Sequence, residues 1–199
     1  MKLHQPPPQY IASTAIFGAL WGLFELTAGT LLHAGRIPFR GVILACGATI
    51  ILVTARQFLH YRGALILMGA VASGLKTVSL GGFVLTPILA IVIESVGAEI
   101  VFGLFRYHLP SALLTGGFIL LYTFAHGLLA QGVFFGLEIY AVYARILGEL
   151  FSWIRLNPDY VWIALLALAG LHLLLGMTAG FIGWLLAKRT KMYLTEEQL

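Results

Sequence analysis

Glu94 and Glu99 stand inside the apolar run 83–108, FVLTPILAIVIESVGAEIVFGLFRYH. The run has the length and hydropathy of a membrane-spanning helix. A charged side chain deep in a bilayer costs roughly 2.5–3.5 kcal/mol on insertion scales, so it persists where it faces a bundle interior, a partner charge or a water-filled cavity. Five positions apart, the two carboxylates lie about 140° from each other around a helix and cannot share a face. One is expected to serve a joint between helices and the other a cavity. Gly97 and Ala98 fall on the Glu94 side, where small residues let a neighbouring helix come close.

Other ionisable or polar groups occupy the remaining apolar runs: Glu25 in the first, Lys76 in the third, Tyr122 and His126 in the fifth with Thr115 on the same face, and His172 in the last. Together with Glu94 these are the candidate substrate-binding residues. Each also has a plainer reading. The carboxylates can join helices, and Lys76 can snorkel to the interface from near its helix end. The two histidines can be pocket walls, or metal or haem ligands, although a closed zinc site wants four ligands. No metal or cofactor is expected. Trp21, Tyr122, Trp153, Tyr160 and Trp162 read as interface anchors, and Arg145 with Glu149 as an i,i+4 pair supporting a helix.

The elements that must position these groups follow from composition. The 199 residues are 60% hydrophobic and 10% charged, with a mean hydropathy of +0.94, as a polytopic membrane protein requires. Six spans are expected in one transmembrane domain, residues 1–199, as a compact all-α bundle: about 10–33, 41–59, 63–79, 83–108, 111–131 and 159–187. Pro6, Pro7 and Pro8 set the start of the first, read as an uncleaved span. Its face carries Ala15, Gly18, Gly22, Glu25 and Gly29, with a second small stripe of Ala12, Ala15 and Ala19 beside it. Gly81-Gly82 turn the chain into the fourth span. The last holds His172 among Ala169, Gly176, Ala179, Gly180 and Gly183. Residues 137–156 line up Glu138, Arg145, Glu149 and Ser152 on one face, the pattern of an amphipathic interfacial helix, with a seventh span as the alternative. Six spans place Glu25, Lys76, Glu94, His126 and His172 in the outer half or near the midplane, facing one outward-opening pocket, with Glu99 deeper.

The formal charge of +4 is explained by topology and not by nucleic acid. With both termini cytoplasmic, Lys2, Arg56, Arg62, Arg106, Lys188, Arg189 and Lys191 lie inside, and Arg36, Arg40, Arg145 and Arg155 outside, in keeping with the positive-inside rule. The lone Cys46 excludes an internal disulfide. No P-loop, H-E-x-x-H or G-x-S-x-G motif is present, so the chain does not hydrolyse ATP by itself.

The stretch RGALILMGAVASGLKTVSLGG, 62–82, and its spacing to VGAEIVFGLFRYHLP, 96–110, carry a resemblance. The GAE-x-VF-x-x-x-R core from Gly97 to Arg106 is its sharpest part. This middle third resembles the substrate-binding S-component of energy-coupling factor (ECF) vitamin importers, nearest to the hydroxymethylpyrimidine/thiamine type. The resemblance implies a small-molecule vitamin or precursor as substrate, a prokaryotic cell membrane, a membrane coupling protein and a pair of ATPases. It also implies that Ala12, Ala15 and Ala19 form the docking surface, and that Glu99 and Arg106 are structural or coupling residues. Such a component binds and does not catalyse. Two other classes fit the polar residues: a small membrane enzyme or haem protein using the Glu/His groups, or a structural subunit of a larger complex.

A reporter fused after Leu199 and active only outside the cell is expected to be silent; activity there would overturn the six-span topology.

Overall fold

The computed structural model describes residues 7–78, 85–155, 157 and 160–196, and among them the chain is all-helical. Seven helices run in order among the described residues: α1 Pro8–Ala34, α2 Arg40–Phe58, α3 Ala64–Thr77, α4 Leu85–Phe105, α5 Leu109–Phe135, α6 Glu138–Trp153 and α7 Val161–Glu196. Five of them, all but α3 and α6, are long and apolar enough to cross a membrane. α3 has 14 residues, about 21 Å at 1.5 Å per residue, short of a hydrocarbon core of about 30 Å. Lys2, Pro6 and the Gly81-Gly82 turn lie outside the described residues.

Two groupings build the bundle. α1 packs on α3 and α3 on α4, while α7 packs on α5 and α2, and α4 meets α5 to close the two together. Small residues decide both joints, because membrane helices approach closely only where side chains are short. A Cβ on Gly116 would run into the Gly176 backbone, and one on Gly176 into that of Gly116, so this crossing is set by the absence of side chains. Gly18 and Gly22 are buried against α3. Ala15, expected beside them, is exposed, as is Ala12, with Ala19 half-buried. That small stripe is not packed inside the bundle.

Trp21 is a correction to the expected anchors: it is fully buried in the core with Leu52, Leu65, Met68 and Phe102. It sits one turn from Glu25 and two from Thr14 on the packed face of α1, so its neighbours and not its amphipathic ring fix its position. Trp153, Tyr160 and Trp162 are exposed. α7 runs on beyond Ala187, because hydropathy marks where lipid ends and not where a helix does; Lys188, Arg189 and Lys191 continue it.

α6 touches only α5 and α7 among the described residues. Glu138, Arg145, Glu149 and Ser152 are exposed on its outer side, while Ile139, Tyr140, Leu147 and Phe151 turn inward. The Tyr140 hydroxyl donates to the Leu128 carbonyl at 2.8 Å and pins it to α5. Arg145 and Glu149 form no ion pair, contrary to their i,i+4 spacing.

Gly116→Leu is expected to lower stability by about 1–3 kcal/mol through overpacking, seen as a reduced unfolding temperature in detergent. Gly127→Ala, at a position where a Cβ meets nothing within 4 Å, is expected to leave it equal or higher.

Candidate functional site

Three carboxylates are buried within the apolar helices, and they have three different surroundings. Glu99 on α4 reaches the start of α3. Its Oε1 accepts from the Gly63 N–H at 2.9 Å and its Oε2 from the Leu65 N–H at 3.0 Å. These are unpaired donors that any helix N-terminus exposes, and the helix dipole favours an anion there. Gly63 takes a left-handed backbone, φ 82°, to begin that turn. Arg56 lies 3.4 Å from Glu99 Oε1 and also donates to the Tyr61 carbonyl at 3.2 Å. The Tyr61 hydroxyl in turn shares a hydrogen bond with Thr14 at 2.6 Å. Glu99 is therefore a joint holding α1, α2, α3 and α4 at one end. Nearby, Tyr107 packs against Phe102 with ring centroids 5.7 Å apart and planes tilted by 30°, and burial pushes its pKa up to about 12. Arg106 is exposed, in a left-handed conformation, and its carbonyl accepts from Ser111.

Glu25 is the second joint. Lys76 Nζ stands 3.2 Å from Glu25 Oε2 and donates to the Glu25 backbone carbonyl at 2.8 Å. Both residues are buried. Lys76 does not snorkel, nor does it line the cavity described next; its charge is absorbed by Glu25.

Glu94 differs. It is 5% exposed and has no hydrogen-bond partner among the described residues, and it opens onto a cavity of about 300 Å³. That volume is at the lower end of small-ligand sites. Leu44, Ala45, Pro87, Ala90 and Ile91 give the cavity an apolar wall, while Glu25, Arg40, Thr86, Tyr122, Thr123 and His126 supply polar groups. Tyr122 and His126, one turn apart on α5, are joined by a 3.0 Å hydrogen bond between the hydroxyl and Nδ1. Phe118 stacks behind Tyr122 and so braces its ring. The cavity lies at the end of the bundle opposite Glu99, between the C-terminal parts of α1 and α5 and the N-terminal parts of α2 and α4.

His172 does not reach this cavity. It lines a neighbouring one of about 480 Å³ with Phe39, Phe124, Leu128, Gln131, Tyr143 and Leu168. Its Nδ1 faces the Leu168 carbonyl at 2.8 Å and its ring packs on Phe124. The expected single pocket is thus two adjacent cavities. No group of three or more His, Cys, Asp or Glu side chains converges on a metal position among the described residues.

Arg40 was absent from the expected site. It opens α2 after a turn in which Arg36 and Phe39 both adopt positive φ, and it donates to His33 Nδ1 at 2.8 Å. At the edge of a span its charge reads as topology. The tight turn from Gly35 to Phe39, which brings it back over the bundle, is the signal that could have found it. Thr86 and Thr123 were missed because a threonine in an apolar run carries no signal of its own.

Comparison with protein-family models, curated proteins and solved structures gives no match for this chain.

Glu99→Ala is expected to cost about 3–5 kcal/mol, because it leaves Arg56 and two backbone donors buried without their acceptor. Glu94→Gln is expected to leave thermal stability unchanged or raise it, since it removes a desolvated charge that no partner compensates. Unfolding of the two purified variants in the same detergent checks this contrast.

Proposed function

We propose that this chain is the substrate-binding membrane subunit of an ECF-type importer, taking up a vitamin or vitamin precursor of the hydroxymethylpyrimidine/thiamine class. The observation that carries the reading is Glu94: a buried carboxylate, unpartnered, at the wall of a cavity whose other faces are apolar and aromatic. An aminopyrimidine presents an exocyclic N–H beside a ring nitrogen; with that nitrogen protonated, both N–H groups donate to the carboxylate in two parallel hydrogen bonds, one of them charge-assisted. The Tyr122–His126 pair and the apolar wall suit a flat heteroaromatic ring. Binding without chemical change is the whole task of such a subunit.

In this reading the protein is a multi-pass component of a prokaryotic cell membrane with six spans and both termini cytoplasmic. α3, although short, is counted with the five long helices as the third of the six spans, and α6 is the interfacial helix. The exposed small residues Ala12 and Ala15, with half-buried Ala19, form the surface where a membrane coupling protein docks, and a pair of ATPases drives uptake through it. The loaded subunit tilts in the membrane to release its substrate. The sharp division between a pocket at one end and a rigid Glu99 joint at the other supports a component that moves as a body.

Mass spectrometry of small molecules released from the detergent-solubilised protein is expected to find an aminopyrimidine compound, absent from Glu94→Gln. Losing a charge-assisted hydrogen bond of about 1.5–3 kcal/mol weakens binding at least about tenfold. The double variant Ala15→Leu, Ala19→Leu is expected to keep ligand affinity and thermal stability while losing the coupling protein on co-purification, because a bulky side chain holds off an approaching helix. Intact assembly in that variant would sink the docking face.

A further inference from the structure

Resting on the reading above and extending it, we propose that the two cavities act as one site for an elongated ligand, with a hydrogen-bond-donating heterocycle at Glu94 and a phosphate monoester across the shared wall. Arg40, Gly41, Thr123 and Gly127 line both cavities. Across them the acidic groups stand at one end only, with Arg40 on the shared wall. The first cavity carries Glu25 and Glu94, and Lys76 already neutralises Glu25. The second carries Arg40, Gln131, Tyr143 and His172, and no acidic residue among its lining.

The donors at the second end are free to act. Arg40 gives one N–H to His33, and a guanidinium has five, arranged in a fork that matches phosphate oxygens. His172 is 8% exposed. Because its Nδ1 faces a carbonyl, that nitrogen holds a proton, which leaves Nε2 for a ligand. Phosphate monoesters have a second pKa of about 6, so the monoanion keeps a hydroxyl. That hydroxyl can donate to Nε2.

The passage between the ends is kept clear by glycine. A Cβ on Gly127 would meet nothing within 4 Å, and one on Gly41 would meet Thr123 Cγ2 only at 3.7 Å. A larger side chain at 127 would stand in the gap and leave Glu94, Arg40 and His172 in place.

The test is calorimetric binding of hydroxymethylpyrimidine and of its phosphate monoester to the purified full chain. The ester is expected to bind at least about tenfold tighter. Arg40→Gln and, independently, His172→Ala are expected to collapse the ratio of the two affinities toward one. Gly127→Val is expected to lower the ester's affinity well below its wild-type value without changing the unfolding temperature. If the alcohol binds and the ester binds no tighter, or if the preference survives both Arg40→Gln and His172→Ala, the joined site is wrong while the reading of the Glu94 cavity stands. If neither compound binds the wild-type chain, both fall.

Discussion

The ion pair between Lys76 and Glu25 is the interaction on which the site depends. It ties α3 to α1 within the apolar layer, where an unmatched charge is most expensive. It also removes the one lysine and one of the two carboxylates from competition at the cavity. Were Lys76 to turn toward Glu94 instead, the cavity would lose its open carboxylate and Glu25 would be left buried and bare. A buried pair contributes little net stability, but losing one member is costly, so the pairing fixes which acid is a joint and which is free.

The other end of the bundle is built to opposite specifications. Glu99 accepts two backbone N–H groups and sits beside Arg56, so no acceptor there is available to a ligand. The Gly116–Gly176 crossing brings α5 and α7 backbone to backbone near the same end. Toward the opposite end the second cavity is lined by Phe124 and Leu128 of α5 and by Leu168 and His172 of α7. Glycine thus serves two purposes on α5: at 116 it permits contact, and at 127 it preserves a gap.

Much of this was legible in the sequence. The angular separation of Glu94 and Glu99 already required one joint and one cavity wall. The small stripe on α7, from Gly176 to Gly183, marked its packed face, and α6 showed its exposed charges. What could not be read is which charges meet. Glu25 and Lys76 lie on different helices, and neither periodicity nor hydropathy pairs residues across a bundle; hence Lys76 was expected at the pocket and is found at a joint. His172 was assigned to the same pocket because depth alone does not resolve two adjacent cavities. Arg40 escaped because a charge at a span edge serves topology equally well. Trp21 was misplaced because an aromatic ring in a span is an anchor or a core residue according to its neighbours, which lie on α2, α3 and α4.

Of the three membrane carboxylates, Glu25 and Glu94 line the first cavity, and Glu94 alone does so without a partner among the described residues. Thiol accessibility tests it without a ligand. In a Cys46→Ser background, Glu94→Cys, Glu25→Cys and Glu99→Cys are exposed in intact cells to a small membrane-impermeant methanethiosulfonate, and labelling is read on folded, monodisperse protein. Rapid modification is expected at position 94, slower modification at 25 and none at 99. Modification at 99 that equals or exceeds that at 94 would contradict it.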